Sequence, residues 1–308
     1  MKHRTDTLKK IILLLQAVGL LVAMLASFIG GLYMFNGNVL YAMPISLVLV
    51  VSMFYLVTYF MKEKANRKKK GYSSMFYYLL VLYAILGSVV SFFVLHFVNV
   101  ELNEKSAVQS LAAKKLKGIE AIYSEYNEQY STFCDLMRTD IIKKTSTSDL
   151  ITANRSILNS SPYNLDDTML NSIMNRPSKV DAVNQMKIQP MLNDFAEVEN
   201  KLLSNKVEFF ESCNKAIEGW SRLKIARVFN ELDQRITADY EVLNQKLQSV
   251  SAGQIQLITD QKPYLEDAMM DKPMQLAVKH IGPTTFVVLV IFQLLILLPY
   301  FLTKGRQY

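Results

Sequence analysis

The chain has 308 residues, 51% of them apolar, and a formal net charge of +7. An apolar excess gathered into uninterrupted runs speaks against an ordinary soluble enzyme of this length. The basic residues cluster beside those runs, a pattern of membrane topology and not of a nucleic-acid face, and two cysteines are too few for a disulfide scaffold.

Residues 1–10 form a basic tail with Lys2, Arg4, Lys9 and Lys10. An uncharged apolar run follows at 11–34, long enough to span a bilayer and too long for the apolar core of a signal peptide. In it Gly19, Ala23, Ser27 and Gly31 recur every four residues and place small side chains on one stripe. Such a stripe lets another helix approach closely, because helices in lipid associate by packing and not by hydrophobicity. The expected partner is the third span, through Ala84, Gly87, Ser88 and Ser91. The same stripe suits a second copy of the chain equally, so a homo-oligomer stays open.

The turn Asn36-Gly37-Asn38 leads to a second span at 40–61. Then comes a loop dense in lysine and arginine. Its Lys68, Lys69 and Lys70 act as a topology signal and offer contacts to anionic lipid headgroups. A third span occupies 74–98 and a fourth 284–302, with Lys304 and Arg306 in the tail at 303–308. The three basic clusters agree on one orientation in a plasma (inner) membrane. Both termini are cytoplasmic, and residues 99–283 are extracytoplasmic, or periplasmic in a Gram-negative cell. Gln16 and Gln293 are expected to make interhelical hydrogen bonds. The spans contain no Asp, Glu, Lys or Arg, which disfavours an ion pathway.

The fold expected is an all-α integral membrane protein with a helical-bundle, coiled-coil-like domain inserted between the third and fourth spans. No proline occurs from Tyr77 to Lys144, so the third span is expected to continue outward as a stalk of about 70 Å. Apolar residues at three-four spacing predict three amphipathic helices. The first carries Leu111, Ile119, Ile122, Tyr126, Phe133, Met137 and Ile141. The second carries Met191, Phe195, Val198, Leu202, Phe209, Cys213 and Ile217. The third runs from Ile225 through Phe229, Leu232, Ile236, Tyr240, Leu243 and Leu247 to Val250. Residues 145–180, rich in Ser, Thr, Asn and Pro, read as a loop with one short helix around Asp166 to Met174. Gly219-Trp220-Ser221 reads as a helix corner.

Cys134 and Cys213 either pair as a disulfide, if the 145–180 segment returns down the stalk, or remain two buried thiols on apolar faces. The sequence has no Gly-rich phosphate loop, nucleophile elbow or metal-ligand spacing. No catalytic residue, cofactor or metal is expected. His96, Glu101 and His280 flank the insert and form the single constellation with any chemistry in it.

These features predict a non-enzymatic scaffold or sensor whose insert binds a protein partner in the cell envelope, with the lipid bilayer as its other partner and no nucleic acid. The alternatives are a subunit of an oligomeric pore, and a membrane enzyme with its site at the outer surface. A paired-helix insert between two spans resembles the sensor domain of bacterial chemoreceptors. The chain departs from that pattern, since six residues follow the last span and no cytoplasmic signalling region is among them, so any signal is expected to pass through a partner.

Overall fold

The computed structural model describes residues 2–66, 72–188, 206–280 and 282–303. In chain order the helices are α1 (Lys2–Met34), α2 (Val39–Asn66), α3 (Ser74–Asn99), a π turn (Val100–Glu104), α4 (Lys105–Lys144), α5 (Ser148–Leu158), α6 (Asp167–Met174), α7 (Lys179–Gln185), α8 (Lys206–Glu218), α9 (Ile225–Val250), α10 (Pro273–Lys279) and α11 (Pro283–Leu302). There is no strand among the described residues. Four helical stretches are long and apolar enough to cross a membrane, beginning at Leu14, Val39, Ser74 and Thr285.

The chain divides into two compact units. The first comprises Met1–Ser110, Gly219–Asn230 and Asp267–Tyr308. Here α1 packs against α2, α3 and α11. Its small-residue stripe makes these contacts. A Cβ at Gly30 would lie 2.2 Å from the Phe93 carbonyl oxygen, one at Gly31 3.3 Å from the Ala42 Cβ, and one at Gly19 3.6 Å from the Leu295 carbonyl oxygen. Ala23 and Ser27 are buried between them. Gly19, Ala23, Ser27 and Gly31 thus face neighbouring helices of the same bundle. The core around it includes Leu20, Met53, Val57, Phe60, Val90, Phe93, Phe292 and Ile296.

The outside of this bundle is apolar too. Leu14, Val18, Leu21 and Leu25 of α1, Leu40, Leu47, Val48 and Tyr55 of α2, and Val287, Ile291 and Leu294 of α11 are all exposed. An apolar exterior of this extent suits acyl chains and not water. Gln293 joins α11 to α3: it donates to the Gly87 carbonyl (3.1 Å) and the Ser91 hydroxyl (2.6 Å), and accepts from the Tyr83 hydroxyl (2.9 Å). Gln16 is buried with neither amide atom paired.

The second unit comprises Leu111–Glu218 and Glu231–Glu266. Its core joins Phe133, Met137 and Ile141 of α4 to Ile151, Leu158, Leu165, Leu170, Ile173, Val183 and Ile188. The segment expected as a loop with one helix thus holds α5 in addition to α6 and leads into α7, and it supplies much of a core. Two of its Ser and Thr residues cap helices. The Thr147 hydroxyl accepts from the Leu150 N–H, and the Ser178 hydroxyl from the Asp181 N–H. Polar pairs cross-link the rest. The fully buried Lys115 pairs with Asp233, Tyr123 donates to Asp239 (2.8 Å), and Glu125 accepts from the backbone of Ile258 and Thr259 (2.6 and 2.9 Å).

Of the expected second amphipathic helix, α8 holds Phe209, Cys213 and Ile217, whereas Met191, Phe195, Val198 and Leu202 lie outside the described residues. Cys134 and Cys213 are free, buried thiols. Both side chains fill apolar faces of their helices. The insert 99–283, expected as one domain, is shared between the two units, because 219–230 and the chain from Asp267 onward pack with the spans.

Candidate functional site

The ladder of α3 changes register at its end. Val100–Glu104 form a π turn, which adds a residue to the helical circuit and swings the following side chains round the axis. No Gly or Pro marks the place. The two acids of this turn, Glu101 and Glu104, each collect partners from other segments of the first unit.

Glu101 accepts four hydrogen bonds. The Tyr33 hydroxyl at the end of α1 donates to Oε1 at 2.7 Å, the Trp220 indole N–H at 3.0 Å, and Arg222 Nε at 2.9 Å, while Arg222 Nη2 donates to Oε2 at 3.0 Å. The arginine contact is a two-point fork, the strong geometry for a carboxylate. It also holds the Arg222 guanidinium further above its usual range, chiefly through the hydrogen bond itself. The Glu101 side chain is only one-tenth exposed. Trp220 sits in a left-handed backbone conformation, φ 47°, at the corner before α9. Lys105 Nζ lies 5.5 Å from the centre of the indole ring. The corner is seated on the turn after α1: Gly37 has φ +77°, and a Cβ there would be 2.7 Å from the Arg227 backbone nitrogen.

Glu104, equally buried, takes Lys279 Nζ and His280 Nε2, both at 2.6 Å, from the end of α10. His96 is buried one turn before the π turn and donates from Nε2 to the Met270 carbonyl at 2.9 Å. That bond assigns the proton to Nε2 and leaves Nδ1 as an acceptor without a protein partner. Asn99 Oδ1 accepts from Asn103 Nδ2 at 3.3 Å, and its own Nδ2 is buried and unpaired.

Chemically this is a clamp. Each carboxylate faces a cation at hydrogen-bond distance, Glu101 through both oxygens and Glu104 through Oε1. His96, Glu101 and His280 do not converge on one point: His280 goes to Glu104, His96 to a backbone carbonyl, and Glu101 to Arg222. Among the described residues no three metal-ligating side chains cluster.

Of the other residues singled out from the sequence, Gly19, Ala23, Ser27 and Gly31 lie within the bundle. Lys68, Lys69 and Lys70 lie outside the described residues. Tyr33, Glu104, Arg222 and Lys279 gave no local signal, and Trp220 only a corner. Their one hint is composition, since Trp220 is the single tryptophan of the chain.

Comparison with protein-family models, with curated proteins and with solved structures finds no match for this chain.

Proposed function

We propose that the protein is a non-enzymatic, membrane-anchored scaffold or sensor, with both termini cytoplasmic and the chain between α3 and α11 outside the cytoplasm, where its helical domain binds a protein of the cell envelope. The observation that carries this reading is the pairing of Glu101 and Glu104. Both side chains are about nine-tenths buried, and each meets a cation from the returning chain. Acids paired in this way tie segments together and are not poised for chemistry.

Three further features support the reading. The apolar exterior of α1, α2 and α11 suits lipid, the basic clusters fall where a cytoplasmic side requires them, and the second unit has its own core. It also exposes large apolar side chains, Leu136 and Val207 among them. A pore has less support, because the polar atoms of Gln293 are all bonded within the bundle.

Two measurements test the proposal. A membrane-impermeant thiol reagent on intact cells or spheroplasts should label Ser160→Cys and spare Lys62→Cys; the reverse pattern overturns the orientation. A photo-crosslinking residue at Leu136 or Val207 should capture a specific envelope protein. Capture of nothing from either position, at native expression, counts against a binding role.

A further inference from the structure

The short helix α10 has its own amphipathic design. Leu276 is fully buried and the helix packs on α3, whereas Met274 and Val278 are 69% and 76% exposed. Four residues apart, these two share the face opposite Leu276. Lys279 is tied to Glu104 in the π turn, immediately beyond the apolar stretch of α3. The turn Met269–Asp271 bonds to His96 through Met270 and packs on α1, and the fourth apolar stretch opens at Thr285. Thus α10 is held at the level where three apolar helices end, with Pro273 at its start and Pro283 opening α11.

We infer that α10 lies along the boundary between headgroups and acyl chains and inserts Met274 and Val278 into the adjoining leaflet as a fixed interfacial anchor. The occupant of this face is the lipid surface, because α10 is held beside the end of the apolar stretch of α3 and a few residues before the apolar stretch that opens at Thr285. A short helix with an apolar face gains stability at that depth. Its flanking cations do not recruit anionic lipid: Lys272 is paired with Asp267 and Lys279 with Glu104. Contact is therefore apolar and indifferent to headgroup charge. The inference rests on the reading that the four apolar helices lie in a bilayer.

The test uses the full chain in phosphatidylcholine vesicles, with a fluorophore on Met274→Cys or Val278→Cys and spin-labelled lipids as quenchers. Val22→Cys, mid-span, and Glu211→Cys, in the second unit, are the reference sites. The unsubstituted chain, whose thiols are buried, is the labelling blank. Positions 274 and 278 should be quenched by a shallow label at least about twofold more than position 211, and equally in vesicles containing an anionic lipid. If 22 is quenched by a deep label while 274 and 278 respond no more than 211, the anchor is wrong and the membrane reading stands. Quenching at 274 and 278 only with anionic lipid also overturns it. If position 22 is not quenched, the membrane reading fails and takes the anchor with it.

Discussion

Glu101 and Arg222, 121 residues apart in the chain, meet in a two-point contact with N–O distances of 2.9 and 3.0 Å. The same carboxylate takes the indole N–H of Trp220. Removing it leaves Tyr33, Trp220 and Arg222 without their acceptor. Glu101→Ala should lower stability by about 1–3 kcal/mol, moderated because Arg222 is half exposed. Glu101→Gln, which keeps one acceptor oxygen, should cost less. Trp220 emission followed through thermal unfolding in mild detergent reads both, and equal effects of the two variants would deny the fork its role.

Gly30 and Gly19 share the small-residue region of α1 but differ in clearance. A methyl at Gly30 would run into the Phe93 carbonyl at 2.2 Å, whereas at Gly19 the nearest atom is an ordinary 3.6 Å away. Gly30→Ala should therefore destabilise the bundle by about 1–3 kcal/mol through overpacking. Gly19→Ala should be close to neutral. Unfolding in mixed micelles of increasing denaturing detergent compares them, and the opposite ranking would mean that α1 and α3 do not approach as described.

Burial raises the Asp239 carboxyl above its usual value, although the hydrogen bond from Tyr123 works in the opposite direction. A folded-state pKa above the unfolded one gives stability that is complete below the unfolded pKa and is lost as pH rises through the folded value. At neutral pH the charged Asp239 is thus a burden on the second unit. Asp239→Asn keeps an oxygen for the Tyr123 hydroxyl and should raise the thermal midpoint at pH 7 relative to wild type, with the gap closing toward pH 4. Melting followed by circular dichroism across that range checks it. A lower midpoint at pH 7 would show that the carboxylate charge is needed.

Burial pushes the Cys213 thiol up to about 11, and Cys134 is buried as well. Little thiolate is then available at neutral pH, and thiolate is the reacting form. The native protein should react with maleimide far more slowly than the denatured chain, which should take up two equivalents, the full cysteine count. A reducing agent should leave the thermal midpoint unchanged. A mass two hydrogens lower in non-reduced protein would show that the thiols have joined.

What was legible from residue order depended on neighbours within a few turns. Uncharged apolar runs identify helices that lipid can solvate, and α1, α2, α3 and α11 cover them. The three-four periodicity of Phe133, Met137 and Ile141, and of Leu232, Ile236 and Leu243, identifies helical faces that become cores. Ser and Thr between 145 and 180 misled, because one residue type both breaks helices and caps them. Thr147 and Ser178 cap α5 and α7, and only the apolar positions Ile151 and Val183 separate the two roles. The π turn was invisible, since Val100–Glu104 contains no residue that demands it.

Residue order by itself determined where the apolar helices lie and that the chain between them is helical, because solvation and periodicity act locally. Tertiary structure decided which acid meets which cation. Glu101 is completed by Trp220 and Arg222, and Glu104 by Lys279 and His280 from 175 and 176 positions away. A buried carboxylate is satisfied by whatever donor the fold delivers to it, and no spacing along the chain encodes that delivery.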